Sequence, residues 1–245
     1  MKKIYSLSFV AAVVASLLFT GCTKDSSTAA TADTSAQVSF GVQSDNPLVT
    51  LASVNPGGSL VTQAVSTTAS VTWTTATANI TKFKLNAKKA GVAFEVVSNG
   101  LLNIDMFAAI PSTICAVIAN GTYTNVELHV VLAKSTTTTL PLVLKGNYTT
   151  KAGNVIPIEF DFNEDTEIVA LTNDLTIDGK NDVLAKVSLH LNKLLSNITA
   201  QEIDQTVRTN SMILITSAIN PTVYAKIKAD LLLSGGSNVT TTPKK

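Results

Sequence analysis

A cluster of oxygen-bearing side chains in the middle of the chain offers the densest potential chemistry. Asp161, Asn163 and Asp165 have the spacing of the first three oxygen ligands in a calcium-binding loop. The sixth loop position is Thr166, where the sharp turn requires glycine, and the twelfth is Thr172, where a bidentate glutamate is required. The sequence therefore excludes an EF-hand and leaves the first three residues as weak candidates for an irregular calcium site.

The same cluster contains paired carboxylates, which are the catalytic groups of glycoside hydrolases. Glu159 and Asp161 alternate with the apolar residues of a predicted strand, so both carboxylates point outward and form no cleft. Pro157 indicates an edge strand, where exposed charges discourage pairing between sheet edges. We expect this edge-protecting role, and we keep a carboxylate-based carbohydrate hydrolase as the enzymatic alternative.

The two histidines and the single tryptophan are the other candidates for chemistry. His129 and His190 each fall on the polar phase of a predicted strand, which favours solvated side chains over zinc ligands. Trp73 shares its phase with Val71, which favours a core position over a sugar-stacking surface. The chain has no nucleophile elbow, P-loop or dinucleotide-binding glycine motif. We therefore expect no catalytic residues, no cofactor and no enzymatic activity.

Composition excludes one class of partner. Charged residues make up only 14% of the chain, and Arg208 is its single arginine. A nucleic-acid-binding surface needs clustered lysine and arginine side chains to neutralise phosphates. We therefore expect no nucleic acid partner.

The N-terminus predicts a membrane anchor. Two lysines precede the apolar residues 4–19, a run that is too short to span a bilayer comfortably but has the length of a cleavable signal peptide. The run Thr20-Gly21-Cys22 resembles the lipobox of bacterial lipoproteins. The resemblance implies that residues 1–21 are removed and that Cys22 carries a diacylglyceryl group and an N-linked palmitate-type chain. The alternative is a plain secretory signal with an incidental cysteine.

This anchor has consequences for location and for the second cysteine. We expect attachment to the bacterial outer membrane, facing the periplasm or the cell surface. Acylation of Cys22 leaves Cys115 no cysteine for an intramolecular disulfide, so Cys115 is expected to be a small buried hydrophobe. Residues 22–36 and 235–245 contain few large apolar side chains, which predicts a flexible tether and a disordered tail.

Between these segments the sequence predicts β-structure. Apolar and polar residues alternate with a period of two, which is typical of half-buried antiparallel strands. Glycine-containing dipeptides separate the runs and favour hairpin turns. The alternating runs are 126–132, 140–144, 156–162 and 183–191, and the turn dipeptides are Asn99-Gly100, Asn120-Gly121 and Asp178-Gly179.

Two helices are predicted near the C-terminus. A capping box at Thr199 and Glu202 predicts a short helix near 199–207. Asn220-Pro221 precedes apolar residues at helical spacing and predicts a helix near 221–233 that covers a sheet face or edge. We therefore expect a mainly β, antiparallel sandwich over residues 37–234.

Part of the chain resembles a domain of unknown function found in secreted prokaryotic lipoproteins. The resemblance implies an immunoglobulin-like or transthyretin-like β-sandwich and transfers no functional residues. We therefore expect a non-enzymatic recognition, adhesion or assembly module with a glycan or protein partner, and we keep a calcium-stabilised structural module as a further alternative. The matching runs are Ile80-Thr81-Lys82-Phe83-Lys84-Leu85, Leu102-Asn103-Ile104-Asp105-Met106-Phe107, Asn120-Gly121-Thr122-Tyr123, Leu144-Lys145-Gly146-Asn147-Tyr148, Ala152-Gly153 and Phe160-Asp161-Phe162.

Overall fold

Strands dominate the computed structural model, which describes residues 35–45, 47–52 and 68–243. The predicted signal peptide, the lipidated cysteine and most of the tether lie outside these residues. The described strands are β1 (Ser35–Asp45), β2 (Leu48–Thr50), β3 (Ser70–Lys89), β4 (Val92–Asp105), β5 (Thr113–Ala119), β6 (Gly121–Leu132), β7 (Leu142–Thr149), β8 (Val155–Phe162), β9 (Thr166–Leu171), β10 (Leu175–Ile177), β11 (Asn181–His190), β12 (Arg208–Thr209), β13 (Met212–Ile215) and β14 (Gly235–Pro243).

The strands form two sheets that face each other. The smaller sheet has the order β14-β11-β1-β5, and the larger has the order β10-β6-β3-β7-β8-β13-β12, with β2 and β4 on β3 and β9 on β6. A mainly β, sandwich-like fold is therefore confirmed. The expectation of an antiparallel sandwich holds only in part, because β1 pairs with β11, and β8 with β13, in parallel. Each parallel pair joins strands that are distant in sequence, as a crossover connection requires.

The 20-residue strand β3 organises the larger sheet. Its first half pairs with β7 and its second half with β6. The backbones approach closely at Gly146, where an added Cβ atom would lie 2.2 Å from the carbonyl oxygen of Thr72. Only glycine fits such an approach, so Gly146 allows β7 to pack against the irregular section of β3 between Trp73 and Thr75.

The inward phases of the predicted alternating runs form the core. Phe40 on β1 stacks on Phe83 of β3 with ring centroids 6.0 Å apart, which joins the two sheets. Trp73 is 2% exposed, so its predicted core position is confirmed. An apolar void between the sheets has a volume of about 10 Å³, which is about one water molecule and too small for a ligand.

Two of the three predicted turns are confirmed. Asn120-Gly121 links β5 to β6, and Asp178-Gly179 precedes β11, with positive φ at both glycines. The turn predicted at Asn99-Gly100 is wrong, because both residues lie inside β4. Gly100 faces the backbone of β3, where a Cβ atom would lie 1.7 Å from the oxygen of Ile80. The turn between β3 and β4 is Ala90-Gly91, both with positive φ.

The helices agree with the sequence, whereas the tail and the second cysteine do not. Helix α1 spans Ala200–Asp204 behind the predicted capping box, and helix α2 spans Pro221–Leu233. Residues 235–243, predicted as disordered, form β14 and pair with β11, because backbone hydrogen bonding does not require apolar side chains. Cys115 is half-buried and disulfide-bonded, contrary to expectation. The only other cysteine in the sequence, Cys22, lies outside the described residues.

Candidate functional site

The candidate calcium ligands hold a loop instead of converging on one point. Asp165 accepts a hydrogen bond from the backbone N–H of Lys134 at 2.8 Å. The amide of Asn163 exchanges two hydrogen bonds with the backbone of Ser135, at 2.7 and 3.0 Å. The part of the chain that the structure describes has no group of three or more His, Cys, Asp or Glu side chains placed to hold a metal ion. These residues therefore fix the connection between β6 and β7.

Glu159 and Asp161 lie side by side on the outer face of β8, as predicted. Lys145 on β7 forms an ion pair with Glu159 at 2.9 Å, while one oxygen of Asp161 is buried without a hydrogen-bond partner among the described residues. Burial and the neighbouring Glu159 raise the pKa of Asp161 to about 6. The predicted edge position is wrong, since β8 lies between β7 and β13; Pro157 directly precedes the section that pairs with β13.

Glu164, which lies between Asn163 and Asp165 in the sequence, binds helix α2. Glu164 accepts a hydrogen bond from the Tyr224 hydroxyl at 2.8 Å and forms an ion pair with Lys228. The hydrogen bond from Lys228 lowers the pKa of Glu164, and burial raises the pKa of the Tyr224 hydroxyl. The Tyr224 ring lies 5.6 Å from Phe160. Glu164 therefore fastens α2 to the sheet.

The histidines are more enclosed than the sequence predicts. His129 is 8% exposed; its Nδ1 lies 2.7 Å from Glu167, and its Nε2 lies 3.3 Å from Glu127. His190 is partly buried, with Nδ1 2.8 Å from Asp45. The expectation of solvated histidines is therefore wrong. Polar residues on neighbouring strands surround the ring of His129, a pairing that depends on strand register and cannot be read from one strand alone.

A cleft between the two helices is the candidate binding site, and the sequence did not indicate it. Its volume is about 620 Å³, within the range of small-molecule pockets, which is roughly 300–1,000 Å³. It opens between the end of α1 and the start of α2. Its lining residues are Glu202, Gln205, Thr206, Val207, Ala218, Ile219, Asn220, Pro221, Thr222 and Val223.

Asn220 lines this cleft and links the segments around it. It adopts a left-handed conformation with φ 58° and gives α2 no side-chain cap, contrary to its predicted capping role. Its side-chain oxygen accepts from the N–H of Val207 at 2.8 Å, and its Nδ2 donates to the carbonyl oxygens of Val207 at 3.0 Å and Leu214 at 2.7 Å. The amide thereby joins three segments. The fixed separation of these segments keeps the cleft open.

The cleft walls combine polar and apolar surface. Glu202 accepts a hydrogen bond from Lys226 at 2.5 Å, and this bond lowers the pKa of the Glu202 carboxyl. The neutralised pair lies beside exposed apolar side chains, of which Val207 is 69% exposed. Gln205 and Thr222 are exposed polar residues of the lining. This mixture suits a small ligand with hydroxyl or amide groups and one apolar face.

Buried polar contacts support the cleft from behind. Tyr148 on β7 donates from its hydroxyl to Asp204 at 2.8 Å, at the end of α1. Asp230 on α2 is 3% exposed and accepts a hydrogen bond from Nδ2 of Asn197 at 2.6 Å. The first bond holds the end of α1 against β7, and the second holds α2 against the segment that precedes α1.

The cleft lies toward the first residues of β3. Val71 of β3 pairs with Tyr148, whose hydroxyl reaches α1. The other end of β3 is Lys89, 16 residues beyond Trp73, or roughly 50 Å along a strand.

None of the helices in the described part of the chain is long and apolar enough to cross a membrane. Comparisons of the chain with family models, curated proteins and solved structures give no match.

Proposed function

We propose that this protein is a non-enzymatic recognition module of the bacterial cell envelope, anchored by lipid on Cys22, whose cleft binds a small polar ligand. The cleft of about 620 Å³ is the observation that carries the proposal. A sandwich of the immunoglobulin-like or transthyretin-like kind supplies a rigid support for such a site, while loops and helices at its ends supply the contacts. Glycans, amino acids and short peptides carry the hydroxyl and amide groups that the cleft walls would bind.

Ligand binding is tested by NMR titration of the full chain with soluble monosaccharides, disaccharides, amino acids and dipeptides. Val207→Trp fills the cleft from a position that is 69% exposed, so folding should be preserved. Val155→Trp is the matched control, because Val155 is 63% exposed on β8 and does not line the cleft. We expect chemical-shift changes with at least one class of ligand, lost in the Val207 variant and kept in the control. Binding that is unaffected by Val207→Trp would place the site elsewhere.

The anchor has its own test. We expect mass spectrometry of the mature protein to find Cys22 at the N-terminus with its acyl groups, and Cys22→Ser to release the protein from membrane pellets. The proposed thioether on Cys22 is compatible with the disulfide of Cys115 only if that disulfide joins two chains, because Cys22 is the only other cysteine in the sequence. Non-reducing electrophoresis of the wild type and of Cys115→Ser distinguishes a disulfide within one chain from a disulfide between two chains. An intact chain from Met1 with an unmodified Cys22 would contradict the anchor.

One observation favours a second candidate, a carbohydrate hydrolase that uses the acidic cluster. A carboxyl with a pKa of about 6, as in Asp161, is suited to general acid catalysis. Glu159 would then be the second carboxylate. Polysaccharide cleavage that is abolished by Asp161→Asn would support this candidate. If the protein cleaves none of a broad panel of polysaccharides, the hydrolase candidate is wrong and only the binding function is left.

A further inference from the structure

One end of the sandwich, which we call the hairpin end, brings four separate segments together. Ser35, the first described residue, pairs with Ala119 of β5. Lys89 reaches the adjoining corner, where its Nζ donates to the carbonyl oxygen of Asn120 at 2.6 Å. The four segments are Ser35, the β3–β4 turn at 88–92, the β5–β6 corner at 119–121 and the turn at 178–181.

The β3–β4 turn presents lysine and valine to solvent. Val92 is 70% exposed, and Lys88 is also exposed. Lys89, in contrast, folds back over the Tyr123 ring, with Nζ 5.3 Å from the ring centroid. Lys180 in the neighbouring turn is exposed. Apolar side chains beside lysines are also the combination by which amphipathic helices bind the boundary between lipid headgroups and acyl chains.

One carboxylate at this end, Asp178, is exposed but bonded within its own turn, and the others lie farther from the tip. Asp178 accepts hydrogen bonds from the N–H groups of Lys180 at 2.9 Å and Asn181 at 3.1 Å, and the first of these lowers its pKa. Asp182 faces the N–H of Gln37 at 3.4 Å. Glu95 lies three residues beyond Val92 on β4. The four segments therefore carry three lysines, Lys88, Lys89 and Lys180, against one aspartate, Asp178.

The distance in sequence between Cys22 and Ser35 indicates which partner this end faces. Residues 23–34 separate Cys22 from Ser35, and a chain of this length spans at most about 45 Å. A lipid anchor at Cys22 therefore holds Ser35 at the hairpin end within about 45 Å of the bilayer, whereas the cleft lies toward the opposite end of β3. We propose that the hairpin end is a second, non-covalent membrane contact, in which Val92 enters the headgroup region and Lys88 and Lys180 bind anionic lipid phosphates.

This inference rests on the proposed anchor but can fail independently of it. The test uses the full chain with Cys22→Ser, so that no acyl chain contributes, in flotation with vesicles of phosphatidylethanolamine and phosphatidylglycerol. Vesicles of phosphatidylcholine alone are the neutral comparison. We expect weak binding to the anionic vesicles only, decreasing as salt is added.

Three variants locate the contact. Reversing the charges of Lys88 and Lys180 to Glu should weaken vesicle binding at least tenfold, and Val92→Asp should weaken it several-fold. The matched control reverses Lys134 and Lys193, two exposed lysines that lie beyond the other ends of β6 and β11. Since all five positions are exposed, circular dichroism should show unchanged folding.

Each outcome bears on the proposal. Tenfold weakening in the Lys88 and Lys180 variant, with the control unchanged, supports it. Equal weakening in the control shows nonspecific charge attraction and overturns it, as does full binding by Val92→Asp. If the Cys22→Ser chain fails to bind anionic vesicles, the membrane contact is wrong even when wild-type Cys22 is acylated. If Cys22 proves unmodified, the anchor fails while the vesicle result still stands.

Discussion

The hairpin end and the cleft end of β3 are built by different kinds of contact. At the hairpin end, the turn Ala90-Gly91 joins strands that are adjacent in sequence, and backbone pairing joins Ser35 to the distant Ala119. The cleft end depends on side-chain hydrogen bonds between distant residues: Tyr148 and Asp204 are 56 positions apart, and Asn197 and Asp230 are 33. Long-range polar contacts form only once the fold is in place. A single substitution should therefore disrupt the cleft end and leave the hairpin end folded.

Asp230→Ala should give the largest effect. It removes a buried carboxylate and leaves the amide of Asn197 and nearby N–H groups without their acceptor. We expect a loss of about 3 kcal/mol in the free energy of unfolding, measured by urea denaturation. Hydrogen exchange should accelerate in α2 more than in the β3–β4 hairpin.

Asp174→Ala is the control, because Asp174 is an exposed acid outside both helices. We expect this control to change the free energy of unfolding by less than about 0.5 kcal/mol. Uniform acceleration of exchange over both ends in Asp230→Ala would contradict the comparison, since it would show that the molecule unfolds as one unit.

Two substitutions at Asn220 separate the effect of its backbone conformation from the effect of its side-chain hydrogen bonds. Asn220→Ala loses three hydrogen bonds and forces alanine into the left-handed region, at a cost of about 2 kcal/mol. Asn220→Gly keeps the φ angle accessible and should recover roughly 1 kcal/mol of that loss. Ligand binding in the cleft should fall in both variants, because neither joins Val207 to Leu214. Equal stability of the two variants would show that alanine adopts the φ of 58° at this position without strain.

Asp161 lies on the sheet between the two ends. In contrast to Asp230, it has a buried carboxyl oxygen with no hydrogen-bond partner among the described residues. Its folded pKa of about 6 exceeds the usual 3.8, so the native state binds the proton more tightly than the unfolded state. Its contribution to stability is therefore greatest below about pH 4 and is lost as pH rises through 6. Asp161→Asn should stabilise the protein at pH 8 by about 1 kcal/mol, after allowing for solvent screening of a half-buried group.

Thermal unfolding from pH 4 to 8 checks this prediction. The difference in Tm between the variant and the wild type should grow between pH 4 and 6 and then level off. Lys145→Ala should enlarge the effect, because Lys145 lowers the pKa of Asp161. A difference that is independent of pH would show that Asp161 does not titrate in this range.

The sequence predicted what depends on local pattern. Alternation identified the strands that contribute Leu128 and Phe160 to the core, and a capping box identified α1. The cleft was not predictable, because Asn220 looks like a helix cap and acts instead as a link between segments that meet only in the tertiary structure. The enclosure of His129 likewise depends on the register of β6 against β9. Strand β14 lacks the apolar alternation by which strands are recognised.

Ala90→Gly probes the hairpin end and should give the smallest effect. Ala90 has a φ of 50°, a region that costs a residue with a Cβ atom about 1 kcal/mol. Glycine removes this strain but loses more entropy on folding, so we expect a net stabilisation of about 0.5 kcal/mol. Gly91→Ala, at φ 80°, should destabilise the turn instead. Because this turn is local, the amide shifts of both variants should be confined to the hairpin end, and changes that extend to the cleft would mean that β3 couples its two ends.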